Sequence, residues 1–339
     1  QSFRAPIHLS KSHIDQGQLV LSIVNPTAGD LNAWNDQWAK SRASYFINTN
    51  RSPVSPYAAA AYTQAQKNAA YFKLMGRAAD GITPTADPVL LDVDNLIDYM
   101  MIIFYSGNTD APLSAFLGNE SPNNFYAMRD RRGGHGFLHI QHDGEHSLNA
   151  GSAASDRVGP FSDPVSGGWN NATKSNAQYT HQDLAPNAEY RIRFADRVHR
   201  HLIDSKGALN TAKSQARMSA RAAVVESAII AESARWGDSK LGTGFPHTAD
   251  TWRSARNNTL SWFNTRSGTL LAQFQNAGLY PNVAAPTMSP SGGPVTSTTP
   301  LSMNAGVSTI YYTINGADPR QIGGTLAPGA QSYVGGILS

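Results

Sequence analysis

The sequence predicts an α+β fold with mainly helical structure and one small β-hairpin, followed by a small β-sandwich-type module. Three observations support this prediction. Apolar residues recur at helical spacing in several long segments, and two short alternating segments flank the pair Gly133-Gly134. A linker rich in Pro, Gly and Ser begins at Ala285, and the residues after it have a β-type pattern. We therefore expect two domains, 1–284 and 285–339.

Helices account for most of the first domain. Its one early strand candidate is Gln18–Val24, and we recognise no sheet with a Gly-rich or basic strand before Leu31. The predicted helices cover Leu31–Ser44, Pro56–Met75, Asp92–Ser106, Asn187–Asp204, Thr211–Trp236 and Thr251–Asn276. The third of these has the clearest ends, because Asp92 or Asp94 can cap it and Gly107 can end it in a left-handed conformation. The polar stretch Gly151–Gln178 is predicted to be a loop.

The hairpin is the region where polar side chains that could bind a metal or take part in catalysis come together. Its strands are predicted at Asn124–Arg129 and Gly136–His142, and a tip at the glycine pair places Asn124 opposite Asp143. Directly opposed side chains on one face lie roughly 5 Å apart at Cβ. Asp110, in the loop after the third helix, supplies another carboxylate. An Asp and an Asn on a metal ion, with a separate Asp for the attacking hydroxyl, are what magnesium-dependent phosphoryl transfer needs.

The order of these residues resembles that of a known family. The motifs are Asn108-x-Asp110, then Asn123-Asn124-x-Tyr126, then an aromatic-rich strand that ends in His142-Asp143-x-Glu145. In this order they are similar to the CotH (spore-coat protein H) kinase family. The resemblance implies an atypical protein-kinase-like fold, of which the first domain would be the C-lobe. One departure is His142, where the family often has Trp before the metal-binding Asp.

The resemblance also implies a role for each candidate residue. Asp110 matches the catalytic-loop Asp that acts as the base, and Asp143 matches the catalytic Asp that binds the metal. Asn124, or its neighbour Asn123, matches the second metal ligand, and Glu145 is a further acid beside the cofactor. The implied cofactors are Mg²⁺ and ATP. The implied partner is a protein substrate or a neighbouring surface protein.

The nucleotide-binding part of such a fold is not recognisable in this sequence. In the CotH family a nucleotide lobe precedes a Gly-Asp-x-x-Ala-Trp run, which occurs here at Gly29–Trp34. No G-x-G-x-x-G motif and no Lys on a clear strand precede it. The resemblance therefore implies that the lobe lies upstream of Gln1 and is largely missing. A second hypothesis follows: a catalytically inactive cell-surface or extracellular structural protein that retains the fold.

Other chemistries fit the same residues less well. Four histidines, His135, His139, His142 and His146, offer a zinc or iron site, but strand alternation points His139 and His142 to opposite faces. No G-x-S-x-G elbow supports a serine hydrolase. Asp143 and Glu145 are too close in sequence to flank a glycosidic bond from both sides.

Composition narrows the class of protein. The formal net charge is +3, and no basic cluster interleaves with aromatic residues, so nucleic-acid binding is not expected. No apolar run is long enough to span a membrane. The chain has no cysteine, which excludes disulfides and thiolate metal sites. Few charges and abundant Asn, Ser, Thr and Gly are typical of a secreted or cell-surface bacterial protein.

The C-terminal module is predicted to consist of short strands. Candidates are Leu301–Asn304, Ser308–Ile314 and Gln331–Val334, with a hairpin turn at Asn315-Gly316. The run Tyr311-Tyr312-Thr313-Ile314-Asn315-Gly316 resembles the accessory β-module at the C-terminus of chitobiase-type glycosidases. The residues after Ala285 would form all or part of such a module, which is not catalytic.

Overall fold

The structure is a computed structural model, and it describes residues 6–8, 25–26, 32–44, 63–130, 134–161, 174–239, 246–291, 294–306 and 308–334. The chain divides into two compact units, Gln1–Tyr280 and Pro281–Ser339. The sequence placed this division between 284 and 285. Helix makes up 46% of the structure and strand 11%, so the chain is α+β with helix as the main element.

Seven helices and four strands are described in the first unit. The helices are α1 Asn32–Ser44, α2 Gln64–Lys73, α3 Val93–Ser106, α4 Ala177–Leu184, α5 Ala188–Val198, α6 Thr211–Trp236 and α7 Ala249–Asn276. The strands are β1 Pro6–His8, β2 Asn25–Pro26, β3 Phe125–Met128 and β4 Leu138–Gln141. None of these helices combines the length and apolarity needed to cross a membrane.

Most of the helices lie where apolar periodicity predicts them. Helices α1, α3, α6 and α7 match their predicted segments to within two residues at each end. Helix α2 begins at Gln64, because Thr63 caps it in a capping box with Gln66. Helix α5 continues into a π-helical turn at His199–Ile203. The predicted strand Gln18–Val24 and the predicted helical residues 56–62 lie outside the described residues.

The hairpin belongs to a larger sheet than the sequence predicts. Strands β3 and β4 pair as expected, and β1 and β2 extend them into an antiparallel sheet of order β2-β1-β3-β4. Neither β1 nor β2 was predicted from the sequence. The two added strands span only three and two residues, which is too short for an alternating pattern to be recognised in the sequence.

Helix α3 is the central element of the unit. Nine of its side chains are buried, which include Leu96, Met100 and Phe104. Asp92 caps its start by accepting a hydrogen bond from the Asn95 backbone N–H at 2.9 Å. Gly107 ends it at a φ of 62°, a left-handed conformation that costs glycine little. The loop that carries Asp110 thus leaves a rigid, buried helix.

Helix α4 was missed by the sequence analysis. All eight of its residues are buried, although most are polar, so it has no amphipathic pattern to recognise. Asn176 caps it by accepting from the Tyr179 backbone N–H, and Gln182 pairs with both backbone groups of Phe161. The side chains thus supply the hydrogen bonds that burial of a polar helix requires.

The second unit contains four short strands: β5 Thr287–Ser289, β6 Ser302–Asn304, β7 Ile310–Tyr312 and β8 Gln331–Tyr333. They form two antiparallel pairs, β5-β6 and β7-β8. The predicted hairpin at Asn315-Gly316 is wrong, because β7 pairs with the distant β8 rather than with the next residues of the chain. Asn315 still forms a local turn, since its side chain accepts a hydrogen bond from the Ala317 N–H at 3.0 Å.

Candidate metal centre

Asp110 lies at the base of the candidate site and is only 5% exposed. The Ser114 hydroxyl donates to its Oδ1 at 2.5 Å, and the Asn124 amide donates to its Oδ2 at 2.8 Å. The Asp110 backbone N–H donates to the Asn108 side chain at 2.8 Å. Both carboxylate oxygens are therefore fixed in place before any ion or substrate binds.

Asn124 comes directly before β3, in a left-handed conformation with φ 49°. The observed register pairs Phe125 with Gln141, so Asn124 continues opposite His142 and the predicted pairing with Asp143 is wrong by one residue. The core sets this register. Ala127 pairs with His139 and both are buried, whereas the predicted register would pair Ala127 with the exposed Ile140.

Asp143 nevertheless lies close to Asn124. The Asn124 amide contacts the Asp143 carbonyl oxygen at 3.5 Å, so the two residues meet through the backbone of Asp143. Asp143 is half-buried and also has a left-handed φ of 49°. Asn123 is buried, and its backbone N–H donates to the Pro112 carbonyl at 2.9 Å. Asn123 and Asn124 thus connect the loop of Asp110 and Pro112 with the loop of Asp143.

Asp110 belongs to a group of three potential metal ligands. One carboxylate oxygen of Asp110, one of Glu145 and one ring nitrogen of His146 all lie within 4.8 Å of one another. The Asp143 carboxylate is not part of this group. Two carboxylates and an imidazole are suitable ligands for a divalent cation: hard oxygens suit Mg²⁺ or Mn²⁺, and the nitrogen suits Mn²⁺ or a later transition metal.

The loop that carries Glu145 and His146 is fixed to the loop of Asp110 by backbone contacts. The Thr109 N–H donates to the His146 carbonyl at 3.0 Å. The His146 ring lies against Phe116, with centroids 4.8 Å apart, and its Nε2 is 3.6 Å from Glu145 Oε1. The sequence analysis considered His146 only within the histidine cluster. His146 is far from Asp110 along the chain, and no local pattern in the sequence predicts that the two residues lie close together.

Two buried arginines support the loops around the site. Arg266 of α7 donates to the carbonyls of Phe104 and Tyr105 at the end of α3, and to those of Ala153 and Ser155 in the adjacent loop. A cation at a helix C-terminus is favourable, because the carbonyls there carry partial negative charge. Burial lowers the pKa of Arg266 to about 10, so it stays charged at neutral pH.

Arg157 interacts electrostatically with Asp110. It donates to the Asn119 side chain at 2.6 Å and to the Leu113 carbonyl at 2.7 Å, and so closes the loop that follows Asp110. Burial lowers the pKa of Arg157 to about 10, while the charges of Asp110 and Asp156 oppose that shift. Its positive charge therefore offsets part of the cost of burying the Asp110 carboxylate.

His139 is a core residue and does not belong to a metal site. It is buried against Trp34, Tyr99 and Phe125, at ring-centroid distances between 5.9 and 6.3 Å. Burial lowers its pKa to about 3. Asn95 of α3 holds its backbone from both sides, accepting from the His139 N–H at 2.5 Å and donating to its carbonyl at 3.2 Å. This pair attaches β4 to the central helix.

The other histidines of the cluster are also separated. His135 and His142 are exposed, and His142 packs its ring against Tyr126 at 4.8 Å. His146 is thus the one histidine of the four that joins the group around Asp110.

Comparisons of the chain with protein-family models, with curated proteins and with solved structures returned no match.

Proposed function

We propose that the first unit is an atypical, CotH-type kinase-like domain that transfers a phosphoryl group from Mg-ATP to protein outside the cytoplasm. The observation that supports this proposal is the convergence of Asp110, Glu145 and His146, with the Asn124 amide beside them. The two carboxylates fit Mg²⁺, which when bound would align the phosphates and neutralise the charge that develops on them.

Within this proposal, Asp110 is better suited to hold the cation than to act as the base. Both of its oxygens already accept hydrogen bonds, and a general base needs an oxygen directed at the substrate hydroxyl. Asp143 is half-buried and its backbone carbonyl contacts the Asn124 amide beside Asp110, and within this proposal we assign the base role to it. This exchanges the roles that the resemblance implies for the two carboxylates.

A labelling experiment tests the proposal. The full-length protein is incubated with Mg²⁺, γ-labelled ATP and a general acceptor such as casein, and label on protein is counted. We expect incorporation that is lost in Asp110→Asn and in Asp143→Ala and retained in Glu120→Gln. Glu120 is an exposed acid in the same loop as Asp110, which makes it a matched control. Equal labelling by wild type and both Asp variants would contradict the kinase assignment.

The alternative is a catalytically inactive structural protein of the cell surface. It is favoured by the same two hydrogen bonds on Asp110, because a buried acid that closes a loop would need the same partners. Titration calorimetry with Mg²⁺ and Mn²⁺ separates the two proposals. The structural role predicts no metal binding, and it predicts self-assembly or surface attachment that survives Asp143→Ala.

A further inference from the structure

A cavity of about 490 Å³ lies between the end of α4, the start of α5 and the end of α7. None of the described residues that line it belongs to the candidate metal centre. Its volume is within the range of small-molecule binding sites. It is called the α4–α7 cavity below. Apolar residues form most of its wall, and they are Val158, Pro160, Ala185, Pro186, Ala277 and Leu279.

The wall of the cavity is held in one shape by contacts within the protein. Gln182 pairs at both ends with the Phe161 backbone, because its Oε1 accepts from the N–H at 2.8 Å and its Nε2 donates to the carbonyl at 3.0 Å. Gly159 has a φ of 85°, and a Cβ there would lie only 2.9 Å from the Phe161 nitrogen. The cavity is therefore formed before a ligand binds, which lowers the cost of binding.

Arg191 is the only charged side chain among the described residues that line the cavity. Its Nη1 donates to the carbonyls of Ala185 and Pro186, at 3.2 and 2.8 Å. These bonds hold the guanidinium at the wall, and its Nε and Nη2 have no partner among the described residues. An anion is therefore the ligand that complements the charge of the cavity. The acids close by in the chain do not line the cavity, and they are Asp156, Asp183, Glu189 and Asp196.

His181 supplies a second hydrogen-bond donor. It lines the cavity and is 1% exposed, and its Nδ1 lies 2.7 Å from the buried Tyr190 hydroxyl. That hydroxyl has no other partner among the described residues, so it donates to Nδ1. Burial lowers the pKa of His181 to about 3, and the neutral ring therefore carries its hydrogen on Nε2. Nε2 has no partner within the described part of the chain, so this N–H can donate to a ligand.

We propose that the α4–α7 cavity binds a small organic molecule that has one carboxylate and an apolar body. The carboxylate pairs with Arg191 and accepts a hydrogen bond from His181 Nε2, and the body packs against the apolar wall. A neutral apolar molecule would leave the guanidinium and the imidazole N–H unpaired. A small inorganic anion would leave the apolar wall uncovered. A carboxylate on an apolar body satisfies both parts of the cavity.

Titration calorimetry with benzoate tests the proposal, because this probe joins one carboxylate to one apolar ring. We expect the full chain to bind benzoate roughly ten-fold or more tightly than its neutral isostere benzamide, and also more tightly than inorganic phosphate. Absence of benzoate binding up to about 10 mM, or equal affinity for benzoate and benzamide, would overturn the proposal.

A charge-removing variant tests the role of Arg191. Arg191→Gln should weaken benzoate binding roughly ten-fold or more and change benzamide binding little, because only benzoate has a charge to pair. Arg200→Gln is the matched control, since Arg200 is exposed in the turn after α5 and does not line the cavity. It should bind benzoate as wild type does. Equal weakening in the two variants, or none in Arg191→Gln, would contradict the carboxylate site.

A cavity-filling variant tests the location without removing any donor. Ala277 is exposed at the end of α7 with an ordinary φ of −79°, so the backbone accepts a larger side chain there. Ala277→Trp should abolish benzoate binding, whereas Ala272→Trp, at an exposed position of α7 outside the cavity, should keep it. Circular dichroism should show the same helix content in both variants. A folded Ala277→Trp chain that binds benzoate as wild type does would place the ligand elsewhere and overturn the proposal.

Nitrogen-15 NMR of the histidine rings tests the second donor. We expect His181, assigned by the signal that His181→Phe loses, to carry its hydrogen on Nε2. That nitrogen should shift when benzoate is added to wild type and should not shift in Ala277→Trp. An unchanged His181 Nε2 signal in a chain that binds benzoate would overturn its role as a donor to the ligand.

Discussion

The two sides of the candidate metal centre differ in how firmly they are held. Asp110 is 5% exposed and hydrogen-bonded at both oxygens, and it follows a helix whose end is fixed by Arg266. The side chains of Glu145 and His146 are 50% and 44% exposed, and their contact of 3.6 Å is with each other. The Asp110 side of the centre is preorganised. On the other side a backbone contact fixes the loop, and the exposed side chains of Glu145 and His146 can adjust to an ion.

This difference has a chemical consequence. A buried carboxylate with fixed partners contributes geometry, because its position does not depend on whether a cation is present. Exposed ligands contribute charge and a nitrogen donor, and they lose side-chain freedom when they bind. We call Asp110 the inner side of the centre, and Glu145 with His146 the outer side. The inner side should therefore control stability and most of the cation affinity, and the outer side should change the affinity alone.

The largest effect is expected when the support beneath Asp110 is removed. Arg266→Met removes the buried guanidinium that donates to the carbonyls of Phe104, Tyr105, Ala153 and Ser155, which should lower the free energy of unfolding by about 3–5 kcal/mol. Urea denaturation measures it. The control is Arg256→Met on the same helix, whose partly exposed ion pair with Glu226 should contribute much less to stability. Similar losses in the two variants would contradict the role given to Arg266.

The second prediction compares the two sides by cation binding. Asp110→Asn should weaken Mn²⁺ or Mg²⁺ binding roughly 100-fold, or about 2.7 kcal/mol, because it removes the fixed charge. The variant should fold, since an amide oxygen can accept from Asn124 while the amide donates to Ser114. Glu145→Gln should weaken binding only about ten-fold. Titration calorimetry measures both, and a larger loss for Glu145→Gln would reverse the assignment of the two sides.

The third prediction concerns how the stability of the fold depends on pH through two buried histidines. Burial lowers the pKa of His139 and of His181 to about 3, whereas both have an ordinary pKa near 6.5 when unfolded. The unfolded chain therefore gains protons first, and stability falls as pH drops below about 6.5 until it approaches 3. Between pH 7 and pH 5 the loss should be about 2 kcal/mol for each histidine.

Denaturation of His139→Phe at several pH values isolates one of these contributions. The phenyl ring suits the aromatic surroundings of Trp34 and Tyr99, and it has no titratable group. The variant should lose about half of the pH dependence that the two histidines cause. His142→Phe, a change at an exposed ring, should keep the wild-type dependence. An unchanged slope in His139→Phe would show that its protonation is not linked to folding.

The inner and outer sides also differ in what the sequence could predict. The inner side depends on local signals: the cap at Asp92, the apolar stripe of α3 and the stop at Gly107 place Asp110 correctly at a buried helix exit. The outer side depends on contacts between distant segments, and no local pattern indicates that His146 lies beside Asp110. The hairpin was predicted but not its register, because the register follows from which face of β3 is buried.

Polar burial explains the other misses. Helix α4 has no amphipathic pattern, because Asn176 and Gln182 attach it to its surroundings by side-chain hydrogen bonds rather than by apolar contacts. Arg266 shows no sequence signal either. On α7 it resembles the partly exposed Arg256, and only the packing of α7 against the end of α3 makes it a buried donor. Residues of this kind depend on tertiary structure alone.

The smallest effect tests whether the inner side is fixed by Ser114 or by the loop as a whole. Ser114→Ala removes the donor to Asp110 Oδ1, and the loss of one bond to a charged group should cost about 1–2 kcal/mol. Because Asn124 still holds Oδ2, cation affinity should fall by less than about ten-fold. Ser114→Thr, which keeps the hydroxyl, is the matched control for both measurements. If Ser114→Ala abolishes cation binding while Thr retains it, the hydroxyl rather than the loop fixes Asp110, and the inner side is less rigid than its hydrogen bonds indicate.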